Sequence, residues 1–185
     1  TLGADAGLLA VAGIWGVNFS VMKWILEPLE PLALNALRFP LAGLVLAGFL
    51  GKDLWRHRPE RADIARLVAL GLLGHVAYQL CFVFGIDQTR AGNASLLLST
   101  TPVWTMLFSA VAGHEMPTRR VSGGVAATLL GIALVVAGSQ GGVSWGSETL
   151  RGDLLMVLGA VLWSVYTVAG REPVARYGEI GRAHV

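Results

Sequence analysis

The chain has 185 residues, of which 54% are hydrophobic and only 14% charged, and its mean hydropathy is +0.62. A soluble domain of this length would carry roughly a quarter charged residues, so the composition excludes an ordinary soluble protein and indicates an integral membrane protein. The net charge of +2 and the pI near 9.0 do not indicate nucleic-acid binding, because the basic residues fall in short segments between apolar ones.

Six apolar stretches follow one another along the chain, each long enough for a helix that crosses a bilayer. They comprise residues 7–26, 31–50, 67–86, 91–112, 121–139 and 153–170. Backbone groups in hydrocarbon must bond to one another, which favours a helix for each stretch. Strands of a membrane barrel would instead be segments of about ten alternating residues. The sequence therefore predicts an all-α integral membrane protein with six transmembrane helices.

Basic residues alternate between the connections, and this alternation predicts the orientation of the chain. The connections 51–66 and 113–120, with the residues after the sixth stretch, hold nine Lys and Arg residues, whereas the other three connections hold two. By the positive-inside rule, the N-terminus and the basic connections lie in the cytoplasm. Lys23 then lies near the outer interface, where we expect it to snorkel or to pair with Glu27 one turn on.

Polar side chains inside the spans are candidates for a binding cavity, because each costs free energy if it faces lipid. Asn18 is expected either to contact a ligand or to bond a neighbouring helix. Arg38 lies roughly 10 Å inside the second span, where it could bind a substrate carboxylate or form a buried ion pair. His75 and Gln79, one turn apart in the third span, indicate a cavity as much as an ordinary hydrogen-bonded core.

The fourth and fifth spans carry features of backbone geometry and packing. Pro102 cannot donate to the carbonyl of Leu98, so a kink is expected, with Ser or Thr hydroxyls or water bonding the free carbonyl. This kink could be a gating hinge or a static bend. Gly124, Gly131 and Gly138 recur every seven residues and predict a flat face for close helix packing, within the chain or against a second copy in a homodimer.

The first and sixth spans share a pattern of aromatic, polar and basic residues. Residues 15–23 read WGVNFSVMK and residues 163–171 read WSVYTVAGR. On a helix, each copy places its first, fourth and fifth residues on one face. The members of this face that we assign to a cavity are Trp15, Asn18, Phe19, Trp163 and Tyr166. Five crossings separate the copies, so the second enters from the opposite side, as in the inverted repeats common among secondary transporters.

Several segments resemble the EamA-type transporters of the drug/metabolite transporter superfamily. In chain order they are WGVNF with Lys23, the pair Arg38-Phe39, residues 92–111, HEMPTRR with the glycine-rich span after it, and residues 152–172. The first resembles the family's opening span, and the last resembles the opening of its second repeat. The resemblance covers nearly all of residues 5–178.

This resemblance implies a ten-helix exporter in a bacterial plasma membrane, built from two inverted five-helix halves around a central cavity. Residues 7–139 would be the first repeat and residues 152–178 the start of the second. Residues 179–185, EIGRAHV, resemble the translation of a sequencing adapter, and we expect them not to belong to the fold. The chain would then be a piece of a longer transporter.

The function implied is a secondary transporter that exports small amino-acid-like or drug-like metabolites by alternating access. The alternatives are a membrane scaffold that transports nothing and an intramembrane enzyme. No Gly-x-Ser-x-Gly motif, metal-ligand spacing or phosphate-binding loop favours an enzyme. Asp153 stands only at the start of a span, so proton coupling through a buried carboxylate is not expected. We expect a small-molecule substrate and the bilayer as partners, with no cofactor or metal.

Overall fold

The computed structural model describes residues 2–50, 60–114, 116–138 and 148–182. All regular structure in these ranges is helical. We number the α-helices in chain order: α1 Leu2–Ile25, α2 Pro31–Leu50, α3 Arg61–Gly71, α4 Tyr78–Gln88, α5 Ala91–Leu98, α6 Thr101–Val111, α7 Arg119–Gly138, α8 Leu150–Ala169 and α9 Arg171–Arg182. A π-helical segment, Leu72–Ala77, joins α3 to α4 without a break. The predicted all-α class is confirmed for the described residues.

Five helical stretches are long and apolar enough to cross a membrane: Asp5–Ile25, Pro31–Phe49, Asp63–Gln88, Ala91–Val111 and Leu150–Ala169. They coincide with the first four and the sixth of the predicted spans. The predicted count of six is one too high for the described residues, because α7, at the place of the fifth predicted span, is not among them. The side chains of α7 are described only through Leu134, a stretch shorter than the about 17–25 residues that cross hydrocarbon. The ten-helix inverted repeat is not confirmed.

Some of the sequence predictions fall at or beyond the edges of the described residues. Lys52, Arg56 and Arg58, which carry part of the orientation argument, lie outside them. Helix α9 runs through Arg182, so residues 179–182 are helical, whereas residues 183–185 lie outside the description. The boundaries of the two repeats and the exclusion of residues 179–185 stay predictions.

The core lies where α8 packs against α4, with α5, α6 and the π segment around it. Val83 and Ile86 of α4 and Met156 of α8 are completely buried there. Two glycines allow this close crossing. A Cβ at Gly85 would lie 2.8 Å from Met156 Sδ, and one at Gly152 would lie 2.6 Å from the backbone carbonyl carbon of Gln88. Gly152 has no room for a side chain while the helices keep their separation, because the atoms that it would meet are backbone, whereas a side chain at Gly85 would first displace the Met156 side chain.

Two of the three glycines predicted to form a packing face on α7 have open space around them in the described part of the chain. A Cβ added at Gly124 or at Gly131 would meet nothing within 4 Å, and the surroundings of Gly138 lie outside the description. Helix α7 instead contacts α5, and the Ser122 hydroxyl lies 3.8 Å from Met106 Sδ of α6. Close packing through the glycine face, within the complete protein or in a homodimer, stays a prediction.

Helices α1 and α2 lie at the edge of the described bundle and bury few of their side chains. Leu44 and Phe49, for example, are 72% and 86% exposed. In a bilayer, apolar surface of this kind meets acyl chains or further helices. The exposure therefore agrees with the composition, which indicates a protein surrounded by lipid.

Candidate functional site

A continuous row of aromatic rings crosses the bundle from α1 to α8. Its members are Phe19, Phe82, Tyr78, Trp163, Tyr166 and His75. Along this order the ring centroids of successive members are 6.0, 6.0, 4.8, 5.2 and 5.6 Å apart. These separations lie within the range in which aromatic pairs attract one another. The row brings together four residues that the sequence assigned to a cavity, two of them from the sixth span.

The π segment places one end of this row. His75 lies in the segment, and its ring meets the edge of Tyr166 from α8. Gly74 makes this contact possible, because a Cβ there would lie 2.6 Å from Tyr166 Cδ2. The Tyr166 ring therefore lies directly against the backbone of the third span. Single π turns inside helices are rare and occur frequently at functional sites.

Polar side chains of α2 and α4 lie beside the ring row. The buried Gln79 amide is 3.5 Å from the Asn35 Oδ1 acceptor, at the outer limit of a hydrogen bond. Sequence reasoning missed Asn35, although its amide lies inside a span and was therefore a candidate by the rule applied to Asn18. Arg38, one turn after Asn35, reaches Met22 Sδ of α1 at 3.8 Å.

Asn18 and Arg38 also line a groove of about 630 Å³ between α1 and α2. Trp15 is the predicted cavity residue that the structure leaves aside. Its side chain is 48% exposed and joins no ring pair within the described part of the chain. Of the eight residues predicted to line a cavity, four therefore lie in the ring row, two line the groove, and Gln79 belongs to the amide pair.

The fourth span is interrupted at residues 99–100, just before Pro102. The hydroxyl of Thr101 donates to the carbonyl of Leu98, the acceptor that a proline at position 102 leaves free. The buried Ser164 hydroxyl of α8 shares its proton between the carbonyl of Ala160 in its own helix, at 2.7 Å, and the carbonyl of Thr101, at 3.0 Å. The interruption is thus bonded both locally and to α8, and its role as a hinge stays a prediction.

A buried carboxylate joins α8 to α5 and to the α4–α5 turn at one end of the bundle. Asp153, in the first turn of α8, is 5% exposed. It accepts hydrogen bonds from Thr89 Oγ1 at 2.5 Å, from Asn93 Nδ2 at 3.1 Å and from Thr149 Oγ1 at 3.0 Å. The sequence reading discounted a buried carboxylate because Asp153 stands at the edge of a span. The structure buries it, because Gly152 lets the α4–α5 turn pack against the start of α8.

Lys23 lies near this carboxylate cluster and corrects a second expectation. Its ammonium donates to the carbonyls of Ile86, Asp87 and Thr89 at 3.0, 2.7 and 2.8 Å. Neither snorkelling nor a pair with Glu27 describes this arrangement. The last carbonyls of a helix lack partners within the helix and carry the negative end of its dipole, so the end of α4 offers Lys23 a better site.

Replacing Lys23 by methionine should therefore destabilise the protein, because three carbonyls lose a charged donor. Hydrogen bonds to charged groups are each worth about 1.5–3 kcal/mol, and we expect a total loss of about 2–3 kcal/mol because water reaches part of the site. Thermal unfolding in detergent, followed by size-exclusion chromatography, measures the loss. Glu27→Gln is the control and should leave the melting temperature unchanged. Equal losses in the two variants would instead favour a Lys23–Glu27 pair.

The opposite end of the bundle is held by exposed ion pairs. Arg66 Nη1 lies 2.7 Å from Glu172 Oε2. Arg176 Nη2 lies 2.8 Å from Glu60 Oε1, and Arg176 Nη1 lies 2.9 Å from Asp63 Oδ2. These pairs join α3 and the residue before it to α9. Solvent-exposed pairs contribute about 0–1 kcal/mol each, so this end is held less firmly than the end with Lys23 and Asp153.

Comparison with known proteins agrees with a membrane transporter. An uncharacterized transporter of Archaeoglobus fulgidus is 32% identical over 165 residues, covering 89% of this chain and 56% of its own length. An uncharacterized inner membrane transporter of Escherichia coli K12, YedA, is 30% identical, covering 88% and 51%. A probable terminal-alkyne amino-acid exporter of Streptantibioticus cattleyicolor is 27% identical, covering 88% and 53%.

The chain thus spans about half the length of the curated relatives it matches. No solved structure matches it. The relatives given above are named as transporters or exporters, which agrees with the expected transporter class. The model of one family, the EamA-like transporters, matches residues 2–137, which is most of the chain. The chain belongs to the EamA-like transporter family.

Proposed function

We propose that the complete protein exports small amphipathic metabolites, amino-acid-like or drug-like, across the cytoplasmic membrane by alternating access. The observation that carries this proposal is the aromatic row at membrane depth, with amide and guanidinium groups beside it. Ligand sites are typically apolar and aromatic, with a few polar groups that fix orientation. The scaffold alternative gives no reason for such a row to cross three spans.

The chemistry of the row suits a substrate with one apolar part and one or two charged groups. Ring faces bind apolar groups and attract cations, whereas the Gln79 and Asn35 amides and the Arg38 guanidinium bind carboxylates and other acceptors. An amino acid with an apolar side chain carries all three kinds of group. The similarity to a probable terminal-alkyne amino-acid exporter supports this class, without identifying the substrate.

The orientation we propose places the N-terminus in the cytoplasm, following the distribution of basic residues. The ion pairs of Arg66 and Arg176 then lie at the cytoplasmic end, and the Lys23 and Asp153 contacts lie at the outer end. The π segment divides the third span between these ends. Helix α4 buries Tyr78, Phe82, Val83 and Ile86 against the core, whereas α3 buries only Leu70 among its described side chains. Opening to the cytoplasm would therefore move α3 about the π segment and separate the exposed ion pairs.

The complete protein would contain a second, inverted five-helix repeat, of which α8 is the first helix. Residues 7–139 would form the first repeat and residues 152–178 would open the second. The central packing of α8 against α4, α5 and α6 supports a fold in which the two repeats share one core. We retain the homodimer through the glycine face of α7 as part of this proposal.

Replacing His75 by leucine tests the proposed function. We expect export by the complete protein in proteoliposomes to fall by about tenfold or more, the equivalent of ~1.4 kcal/mol of binding, because a polar ring at one end of the row is lost. His75 is exposed in the described structure, so folding should not depend on it. The measurement is the initial rate of efflux of labelled apolar amino acids.

Val76→Leu is the matched control, since Val76 lies in the same π segment, is 47% exposed and has an aliphatic side chain that is no part of the ring row. It should export at the wild-type rate. Wild-type export by His75→Leu would remove the row from the transport path. A complete protein that exports none of the candidate metabolites, although correctly folded, would favour the scaffold.

A further inference from the structure

The groove between α1 and α2 has an unusual lining for a surface that faces lipid. Its volume of 630 Å³ lies within the range of about 300–1,000 Å³ typical of ligand pockets. The aliphatic members of the lining include Val21, Ile25, Leu34, Leu37, Leu41 and Val45. The polar members are Asn18 on one wall and Arg38 on the other. An amide and a guanidinium thus face a space that is otherwise built from hydrocarbon.

Arg38 is the one charged residue of this lining, and no carboxylate of the described residues pairs with it. Arg38 Nη1 lies 3.8 Å from Met22 Sδ, and a thioether sulfur is only a weak acceptor. A guanidinium cannot lose its proton in a protein, and an unpaired charge inside a membrane is costly. The groove therefore calls for an anion that the described chain does not supply.

We propose that the groove binds a carboxylate with a long aliphatic chain, which reaches it sideways from the lipid. The carboxylate would accept paired hydrogen bonds from Arg38 and a further one from the Asn18 amide, and the chain would lie along the aliphatic wall. This assignment rests on the proposed function and narrows it, because it names aliphatic carboxylates as the substrate class of this part of the site.

Two properties of the groove favour this ligand over others. A planar guanidinium matches a carboxylate through two parallel hydrogen bonds, whereas a neutral ligand would leave its charge unpaired. Leu37 and Leu41, which line the groove, are 67% and 64% exposed, so the described part of the chain leaves an aliphatic wall free along the groove. A small hydrophilic anion would gain nothing from this aliphatic wall.

The test uses the complete protein in nanodiscs of phosphatidylcholine and measures quenching of tryptophan fluorescence by ω-bromododecanoate. Trp15 and Trp24 lie on α1, on either side of Asn18, and report on a bromine in the groove. At mildly alkaline pH, we expect saturable quenching at concentrations about tenfold or more below those needed with ω-bromododecanol. Arg38→Gln should abolish this difference between the acid and the alcohol, and Arg38→Lys should retain only part of it, because an ammonium keeps the charge but not the two parallel hydrogen bonds.

Arg119→Gln, at the start of α7 and away from the groove, is the matched control and should bind the acid as the wild type does. Equal quenching by the acid and the alcohol in the wild-type chain would overturn the proposal, because it would show partitioning alone. Unchanged acid binding by Arg38→Gln that elutes as a folded protein would also overturn it. So would displacement of the acid by phosphatidylglycerol, since the groove would then be a lipid headgroup site.

Efflux assays on the complete protein separate this proposal from the proposed function. Export of apolar amino acids with no selective binding of the bromo-acid would leave the exporter standing and reject only the groove ligand. Selective, Arg38-dependent binding by a protein that exports neither amino acids nor dodecanoate would keep the site and reject the exporter. No saturable binding of the acid by the folded complete protein would overturn the proposal, because a carboxylate of the remaining chain would then pair with Arg38.

Discussion

Gly152→Leu is expected to destabilise the protein by about 3 kcal/mol or more, above the range of most single substitutions. The reason is backbone crowding, which side-chain rearrangement cannot relieve. A Cβ at this position would lie 2.6 Å from the Gln88 carbonyl carbon and 2.7 Å from the Thr89 nitrogen. The start of α8 would have to move away from the α4–α5 turn. Thermal unfolding in detergent should show a melting temperature lowered by roughly 6–12 °C.

Gly131→Leu on α7 is the matched control, because a Cβ at Gly131 would meet nothing within 4 Å. It should leave the melting temperature close to that of the wild type and adds apolar surface where lipid or another helix would meet it. A loss at Gly131 as large as that at Gly152 would mean that the face of α7 is packed in the assembled protein, as the seven-residue glycine spacing predicts. Tolerance of Gly152→Leu would contradict the close α4–α8 crossing.

The helical class could be predicted from sequence because it depends on a local property, the length of each apolar stretch. Five predicted spans are present for that reason. Four predicted cavity residues also meet in one row. For two of them, Trp163 and Tyr166, the spacing along one helix predicts a shared face. The π segment had no comparable signal, since its residues LLGHVA are typical of an ordinary helix. The close approach of the Tyr166 ring to the Gly74 backbone is seen only in the structure.

Contacts between distant segments could not be predicted in the same way. For Lys23 the sequence offered only neighbours such as Glu27, whereas its acceptors lie more than 60 residues away at the end of α4. The burial of Asp153 depends likewise on how closely α8 approaches the α4–α5 turn. Both errors concern the ends of spans, where hydropathy does not distinguish a buried polar group from one that faces water.

Asp153→Ala is expected to have an effect of similar size to Gly152→Leu, through hydrogen bonding instead of crowding. The carboxylate accepts from Thr89, Asn93 and Thr149, and the first two donors are buried. Each buried donor left without an acceptor costs about 1–3 kcal/mol, and the α8 N-terminus also loses a favourable negative charge. We expect a loss of about 3 kcal/mol or more, measured by thermal unfolding in detergent.

Asp153→Asn separates the two contributions. The Asn side chain keeps one oxygen for Thr89 and Asn93, but its NH₂ group replaces the oxygen that accepts from Thr149. Its stability should therefore lie between those of the wild type and Asp153→Ala. Asp87→Ala is the control at the same end of the bundle, because the Asp87 side chain is exposed and its backbone carbonyl still accepts from Lys23.

Within the described residues, no buried side-chain nitrogen or oxygen lacks a partner, so the Asp153 cluster is fully satisfied as it stands. Removing the Asp153 carboxylate should thus take a shared acceptor from Thr89, Asn93 and Thr149 at once. If Asp153→Ala and Asp87→Ala melt together, water must reach Thr89 and Asn93 in the membrane-bound protein. The end of the bundle that holds Asp153 would then be open to water, and the Asp153 cluster would contribute little to the packing of α8 against the α4–α5 turn.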